Sequence, residues 1–100
     1  MTETNRHEYE VVLVARPNLG EDGLAALTER LTAAIAAQSG EVTATDLWGK
    51  RQLAYPIAKF FEGVYMLHRV AMPPQATAEV DRLLRFNEDV LRYLIVRTDV

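Results

Sequence analysis

Cysteine is absent from the sequence and histidine is rare, since only His7 and His68 carry an imidazole. Without cysteine, the chain has no disulfide framework and no thiolate metal site. No apolar run approaches the roughly 20 residues that span a bilayer, and the amino end, MTETNRHE, lacks the apolar core of a signal peptide. We therefore expect no metal, no cofactor and no membrane partner, and these absences are compatible with a cytoplasmic protein.

A catalytic motif is also missing. The two histidines are the only side chains whose ordinary pKa lies near neutrality, and neither stands in a motif with a nucleophile. Arg16 with Asn18, or Arg6 with Asn5, is the kind of combination that holds an anion in phosphate-hydrolysing enzymes. Neither combination lies in a glycine-rich phosphate loop. The sequence therefore predicts neither an enzyme nor a small-molecule substrate.

Positive charge is scarce overall but unevenly distributed. The formal net charge of −3 disfavours a nucleic-acid partner, because the phosphate backbone attracts positive proteins. Residues 1–47 hold three arginines against eight acidic residues, whereas residues 48–100 hold eight lysines and arginines against six acidic residues. Charge alone favours a mixed, solvated surface, and the asymmetry leaves open a basic face on an otherwise acidic domain.

The apolar residues are arranged in a pattern that predicts the fold. One hundred residues, 49% hydrophobic and 25% charged, suit a single domain over residues 1–100. Periodicity predicts strands over residues 7–16, 41–47, 64–72 and 90–97, with helices over residues 20–40 and from Ala76 to Arg85. The first and third strands are apolar on both faces, which places them at the centre of the sheet. The order β-α-β-β-α-β predicts an α+β, ferredoxin-like fold: a four-stranded antiparallel sheet with two helices on one face and the other face free.

Three side chains of the third strand receive specific predictions. His68 and Arg69 are expected where the strand emerges from the core. Tyr65 resembles the aromatic residues that bind RNA on sheets of this topology, but a single tyrosine matches that motif poorly. We therefore expect Tyr65 to lie in the core.

Residues 48–59, WGKRQLAYPIAK, interleave aromatic, cationic and turn-forming residues without an acidic residue. Leu53, Tyr55 and Ile57 alternate with small or polar residues, as in a half-buried extended segment. Pro56 has no amide donor and disfavours the α conformation at Tyr55, so the segment belongs at an edge, in a bulge or in an ordered loop. We predict an exposed, shaped loop that begins where Trp48 ends the second strand.

The residue types in this segment suit irregular RNA. Lys50, Arg51 and Lys59 are able to neutralise phosphates, and Tyr55 is able to stack on a base or sugar. The alternative is that Tyr55 and Ile57 only hold the segment against the sheet. The residues themselves leave both interpretations open.

Two arginines lie near the turn that precedes the last strand. Arg85 closes the second helix and Arg92 opens the last strand, so we expect both guanidinium groups at the same end of the sheet. Arginine matches phosphate geometry better than lysine does. Local pairing with Glu88 or Asp89 is an equally good interpretation of the sequence.

The segment LAYPIAK, residues 53–59, with Arg51 just before it, resembles the signature of the bacterial small-subunit ribosomal protein six family. The similarity continues in order through Tyr9-Glu10-Val11, Pro17-Asn18-Leu19, Gly63 with Tyr65, and Val70-Ala71-Met72-Pro73. The resemblance implies a structural, non-catalytic protein of the small ribosomal subunit in the cytoplasm. It further implies binding to the central domain of the small-subunit rRNA beside ribosomal protein eighteen.

The resemblance also implies roles for individual residues. Family members carry rRNA-contacting arginines at the positions of Arg85 and Arg92, and RNA contact becomes the favoured role of the cations near Arg51. Family members also carry cations near the amino end, where this chain has His7 and Glu8. The sequence therefore leaves an amino-terminal RNA contact in doubt.

The second strand and the loop that follows it are the predicted docking surface for ribosomal protein eighteen. An edge strand exposes unpaired backbone groups, and residues 41–47 lack the lysine that often protects such an edge. Leu47 and Trp48, at its end, are the predicted partner-binding residues. The alternative function is a regulatory or ligand-binding ferredoxin-like module that acts as a homodimer, which requires a pocket or a symmetric pair of edge strands.

Overall fold

A four-stranded antiparallel sheet organises the fold, and its strands lie in the order β2-β3-β1-β4. The computed structural model describes residues 6–99. Its elements are β1 (His7–Ala15), α1 (Gly20–Ala37), β2 (Glu41–Ile57), β3 (Phe60–Met72), α2 (Ala76–Arg85) and β4 (Val90–Arg97). The predicted β-α-β-β-α-β order and the central position of the first and third strands are confirmed.

The core lies between the two helices and one face of the sheet. In α1, Leu27, Leu31 and Ile35 recur at intervals of four and are at most 2% exposed, so a single stripe of the helix faces the sheet. The buried residues that meet them are Val11, Leu13 and Ala15 of β1, Met66, Val70 and Met72 of β3, and Ala76, Val80 and Leu84 of α2. Each large apolar side chain buried here contributes about 1.5–3 kcal/mol. This core fixes which residues of each strand face away from the helices.

Those outward-facing residues form rows across the sheet, because paired residues on neighbouring strands point to the same side. Val14 is paired with Tyr65 of β3 and with Arg92 of β4, and Tyr65 is in turn paired with Gly49 of β2. The next row contains Leu67, Val12 and Leu94. We call this side of the sheet, which carries neither helix, the open face.

Two predictions about β3 were wrong: alternation places His68 on the buried face with Met66 and Val70, and places Tyr65 on the face that carries no helix. His68 lies on the helix side and is fully buried, where its Nδ1 is hydrogen-bonded to Thr45 Oγ1 at 3.1 Å. Tyr65 belongs to the open face and is half-buried rather than part of the core. Arg69 is exposed, as predicted.

β2 is much longer than the sequence indicated. It continues to Ile57, and β3 begins at Phe60, so the predicted loop over residues 48–59 is mostly strand. The prediction failed because the far part of the β2–β3 hairpin extends past the end of β1, whose last residue, Ala15, pairs with Val64. Most side chains there are exposed, and the alternation of Leu53 with Ile57 was outweighed by Gly49 and Pro56, which disfavour a regular strand. We call residues 49–63 the hairpin arm.

β2 nevertheless departs from regular pairing at three places. Its register shifts between Val42 and Ala44, between Leu47 and Gly49, and between Gln52 and Ile57. Thr43 and Trp48 are therefore the extra residues of two β-bulges, and residues 53–56 leave the ladder. The predicted location of Pro56, at an irregular edge, is confirmed.

The arm closes in a tight turn. Ala58 and Lys59 have φ values of 50° and 72°, the left-handed conformation that a type I′ hairpin turn requires at both central positions. The peptide bond between Tyr55 and Pro56 is trans. The turn places Lys59 at the tip of the arm.

Candidate nucleic-acid interface

The hairpin arm displays three cations to solvent. Lys50, Arg51 and Lys59 are exposed, and within residues 6–99 none of them forms an ion pair. The guanidinium carbon of Arg51 lies 5.8 Å from the centroid of the Trp48 ring, a cation–π contact that orients the side chain without neutralising it. All three charges are therefore free to meet an anion.

Tyr55 and Arg92 connect the arm to the opposite edge of the sheet. Arg92 Nη1 donates a hydrogen bond to the Tyr55 hydroxyl at 3.3 Å. The two residues belong to β2 and β4, which are edge strands roughly 14 Å apart at ordinary strand spacing. The irregular segment around Tyr55 must therefore bend towards β4. This contact holds the Tyr55 hydroxyl, while 58% of the residue is exposed to solvent.

Arg85 has a different environment from Arg92. Its Nη2 donates to Asp81 Oδ2 at 2.7 Å, and the Tyr93 hydroxyl donates to the other oxygen of that carboxylate at 2.5 Å. The Tyr93 hydroxyl and then the Asp81 charge raise the pKa of the Arg85 guanidinium. Tyr93 packs against the core while its neighbour Arg92 lies on the open face, so the two arginines project on opposite faces of the sheet. The sequence predicted a common end and did not resolve the face.

Neither Arg85 nor Arg92 pairs with Glu88 or Asp89, the partners that the sequence suggested. Asp89 accepts a hydrogen bond from Arg16 Nε at 2.8 Å, and Arg16 Nη1 also donates to Asn18 Oδ1 at 2.7 Å. Arg16 and Asn18, considered above as an anion site, are thus close together, but Asp89 already balances the charge of Arg16. Of the other combination, Arg6 pairs with Glu41 at 3.0 Å, and Asn5 lies outside the described residues.

The amino-terminal segment is tied to the carboxyl-terminal one. Asp99 Oδ2 accepts a hydrogen bond from the Glu8 amide at 3.1 Å and lies 3.3 Å from His7 Nδ1. The hydrogen bond from Arg97, above all, lowers the pKa of Asp99 to about 2. His7 therefore lies among side chains of this chain, at the end of the sheet opposite the hairpin arm.

The edge formed by β2 borders an apolar groove. Leu47 and Trp48 are 62% and 43% exposed. Leu47 is one wall of a cavity of about 720 Å³ between α1 and β2, whose other lining residues are Glu21, Leu24, Ala25, Thr28, Glu29, Thr32, Ala33, Ala36, Thr45 and Met66. Sequence analysis located the edge but missed the groove. The available signal was the run of alanines and threonines on the outer side of the first helix, whose small side chains leave a channel beside β2.

Neither a membrane span nor a metal centre is found in the described part of the chain. Neither helix is both long enough and apolar enough to cross a membrane. Across residues 6–99, histidine, aspartate and glutamate side chains form no group able to hold a metal ion. The surface features that stand out are the arm, the open face and the groove.

The family of ribosomal protein S6 matches residues 8–97 of the chain. The small ribosomal subunit protein bS6 of Caldanaerobacter subterraneus is 45% identical over 91 residues, covering 91% of this chain and 96% of that protein. The bS6 protein of Moorella thermoacetica is 42% identical over 91 residues, covering 91% and 93% of the two chains. The crystal structure of 30S ribosomal protein S6 from Thermotoga maritima superimposes with a TM-score of 0.86 at 26% identity, covering 93% of this chain and 88% of that one.

These matches extend from the first residues of β1 to the end of β4, and the fold of a solved relative is the one found here. The resemblance seen in LAYPIAK is confirmed: this chain belongs to the ribosomal protein S6 family and is a component of the small ribosomal subunit, at the cytoplasmic ribosome.

Proposed function

We propose that this protein binds the central domain of the small-subunit rRNA together with ribosomal protein eighteen, and that its role is structural rather than catalytic. The observation that supports RNA binding best is the junction of Tyr55 and Arg92, which joins the arm to the last strand. Tyr55 thereby lies beside an arginine that forms no ion pair within residues 6–99. An exposed aromatic ring flanked by uncompensated cations suits single-stranded or irregular RNA.

The proposed interface consists of Lys50, Arg51, Tyr55, Lys59, Arg85 and Arg92. Because the net charge is −3, attraction to RNA has to come from this local patch rather than from the whole protein. Arg85 is the exception within the set, since a phosphate would have to share it with Asp81. We therefore propose Arg92 and the arm cations as the principal phosphate contacts.

Salt dependence measures those contacts directly. Each neutralised phosphate adds roughly 0.7–0.9 to the slope of log affinity against log salt. We expect Arg92→Ala and Arg51→Ala each to flatten the slope by the contribution of about one phosphate contact. Arg85→Ala should flatten it by less, because Asp81 already balances part of its charge. The measurement is a salt titration of the affinity of the heterodimer for a central-domain rRNA fragment.

Arg30 is the matched control for these substitutions. It is exposed on α1, away from the arm, and within the described chain it forms no ion pair. Arg30→Ala should leave the slope unchanged. If it flattens the slope as much as Arg92→Ala does, the charges act as a diffuse field and the proposed interface is wrong.

Partner docking is proposed for the β2 edge and the adjoining groove. The exposed Leu47 and Trp48 supply apolar area, and the cavity between α1 and β2 offers space for an apolar side chain of ribosomal protein eighteen. Tryptophan at the centre of an interface often contributes a large share of its binding energy.

Truncating these two side chains separates docking from folding. The double change Leu47→Ala and Trp48→Ala should weaken the heterodimer at least tenfold. It should alter the free energy of unfolding by less than about 1 kcal/mol, because both side chains are largely exposed. Affinity is measured by calorimetry, and unfolding by circular dichroism, since Trp48 is the only tryptophan.

Phe86→Ala provides the matched control. Phe86 is 74% exposed at the end of α2, outside the groove. Its truncation should affect neither pairing nor stability. A large loss of stability with intact pairing in the double variant would mean that Trp48 is a core residue.

A further inference from the structure

The open face contains a small pocket, of which the proposed interface uses only Arg92. Its volume is about 280 Å³, and its lining residues are Val12, Val14, Tyr65, Arg92, Tyr93 and Leu94. The floor is apolar, since Val14 is only 4% exposed. The pocket thus combines an apolar base, an aromatic ring and a cation within two adjacent rows of the sheet.

The register explains how these groups come together. Tyr65 and Arg92 flank Val14 in one row, so they lie on either side of it at ordinary strand spacing. On the far side of Tyr65 the row ends at Gly49, which has no side chain of its own to place over the tyrosine.

Charge distinguishes one side of the pocket. The partner of Arg92 is the neutral Tyr55 hydroxyl, and within residues 6–99 no carboxylate pairs with this guanidinium. A ligand that fits must therefore present a flat or apolar group to Tyr65 and the floor, with an anion a few ångströms away. A nucleotide has that arrangement, whereas the bases of a duplex are stacked and do not expose their faces.

We infer that the pocket receives the base of one unpaired nucleotide of the RNA, with the adjoining phosphate on Arg92. This inference rests on the proposed function, because it specifies which RNA element that interface binds. The base stacks against Tyr65 above Val14, and Leu94 closes the side of the pocket nearest solvent. The small volume limits the site to a single base, so recognition depends on a bulged or looped nucleotide rather than on helical shape.

The experiment uses a central-domain rRNA fragment carrying 2-aminopurine at each unpaired position in turn. We expect the fluorescence of one position to change markedly when the heterodimer binds. Tyr65→Leu should abolish that change and lower affinity roughly 5- to 150-fold, the range measured for loss of one base-stacking contact. It should leave the salt slope unchanged, whereas Arg92→Ala changes the slope. Tyr65→Phe, which keeps the ring, should restore both fluorescence and affinity.

Leu94→Glu tests the pocket without touching the partly buried tyrosine, and Val96→Glu is its matched control. Both residues are exposed on the open face of β4, at 58% and 39%, but only Leu94 lines the pocket. Leu94→Glu should lower affinity at least ten times more than Val96→Glu does.

These experiments distinguish a failure of base binding in the pocket from a failure of rRNA binding by the heterodimer. If the two glutamate variants lose affinity equally, or if no 2-aminopurine position responds while the fragment still binds, the pocket does not hold a base and RNA binding stands without it. If the wild-type heterodimer fails to bind the fragment at all, the proposed function itself fails.

Discussion

Gly63→Ala is expected to lower the free energy of unfolding by about 1–2 kcal/mol, although it adds a single methyl group. A Cβ at Gly63 would lie 2.3 Å from Val14 Cγ1 and 3.3 Å from the Ala15 carbonyl oxygen. Overpacking of this kind costs about 1–3 kcal/mol, and Val14 is stiff because it is β-branched. Alanine also lowers the conformational entropy of the unfolded chain, which offsets only about 0.4–1 kcal/mol of this cost. Urea unfolding followed by circular dichroism measures the loss.

A double-mutant cycle identifies the contact responsible. Val14→Ala is destabilising by itself, because it empties a buried position, but in the Gly63→Ala background it should recover stability. Gly23→Ala is a useful control, because the added Cβ there meets only the side chain of Leu19 and alanine favours a helix. If the two changes at residues 63 and 14 prove additive, the loss does not come from their collision.

Stability should also fall steeply in mild acid because of His68. Burial lowers the pKa of the His68 imidazole below its ordinary value of 6.5. Below pH 6.5 the His68 imidazole therefore binds a proton in the unfolded chain but stays neutral in the native protein. The free energy of unfolding then decreases by up to about 1.4 kcal/mol per pH unit, until the pH reaches the lowered pKa. Above pH 6.5 the imidazole is neutral in both states and contributes no slope.

Replacing the imidazole should remove this acid sensitivity. His68→Leu is a suitable change because His68 Nε2 has no hydrogen-bond partner among the described residues and the other partner, Thr45, is exposed to solvent. We expect the variant to match the wild type near pH 7.5 and to exceed it at pH 5.5 in urea unfolding. His7→Gln should keep the slope. If His7→Gln removes it instead, the buried imidazole is not its source.

The features predicted correctly are those that depend on local periodicity. The leucine stripe of α1, the two-sided apolar character of β1 and the disruption by Pro56 are each encoded within a few neighbouring residues, and each was located correctly. The length of β2 was missed because Gly49 and Pro56 were interpreted as breaking the strand, whereas β2 continues past them to Ile57. The face of His68 follows from its spacing from Met66 and Val70, but its burial was missed because a titratable side chain was expected near the end of the core.

The candidate interface shows the same division. The cations of the arm were recognised from the sequence, whereas their position relative to Arg92 is known only from the structure. The contact between Tyr55 and Arg92 joins residues 37 positions apart, and it arises from a bend that single-residue propensities do not encode. Arg92 and Tyr93 are neighbours in β4 and therefore point to opposite faces of the sheet, and Arg85 lies on the side of Tyr93. The pocket on the open face requires three strands in register, so it was beyond prediction from one sequence.

The two bulges of β2 have a consequence for solubility. Between Thr43 and Trp48 only residues 44–47 keep regular register with β3, so the edge offers four evenly spaced residues to an incoming strand. Steric zippers in amyloid are built from segments of six or seven residues. We therefore expect the bulges to disfavour stacking of copies along this edge, even though residues 41–47 carry no lysine. The bulges should thus help the free protein to stay soluble until it is incorporated into the subunit.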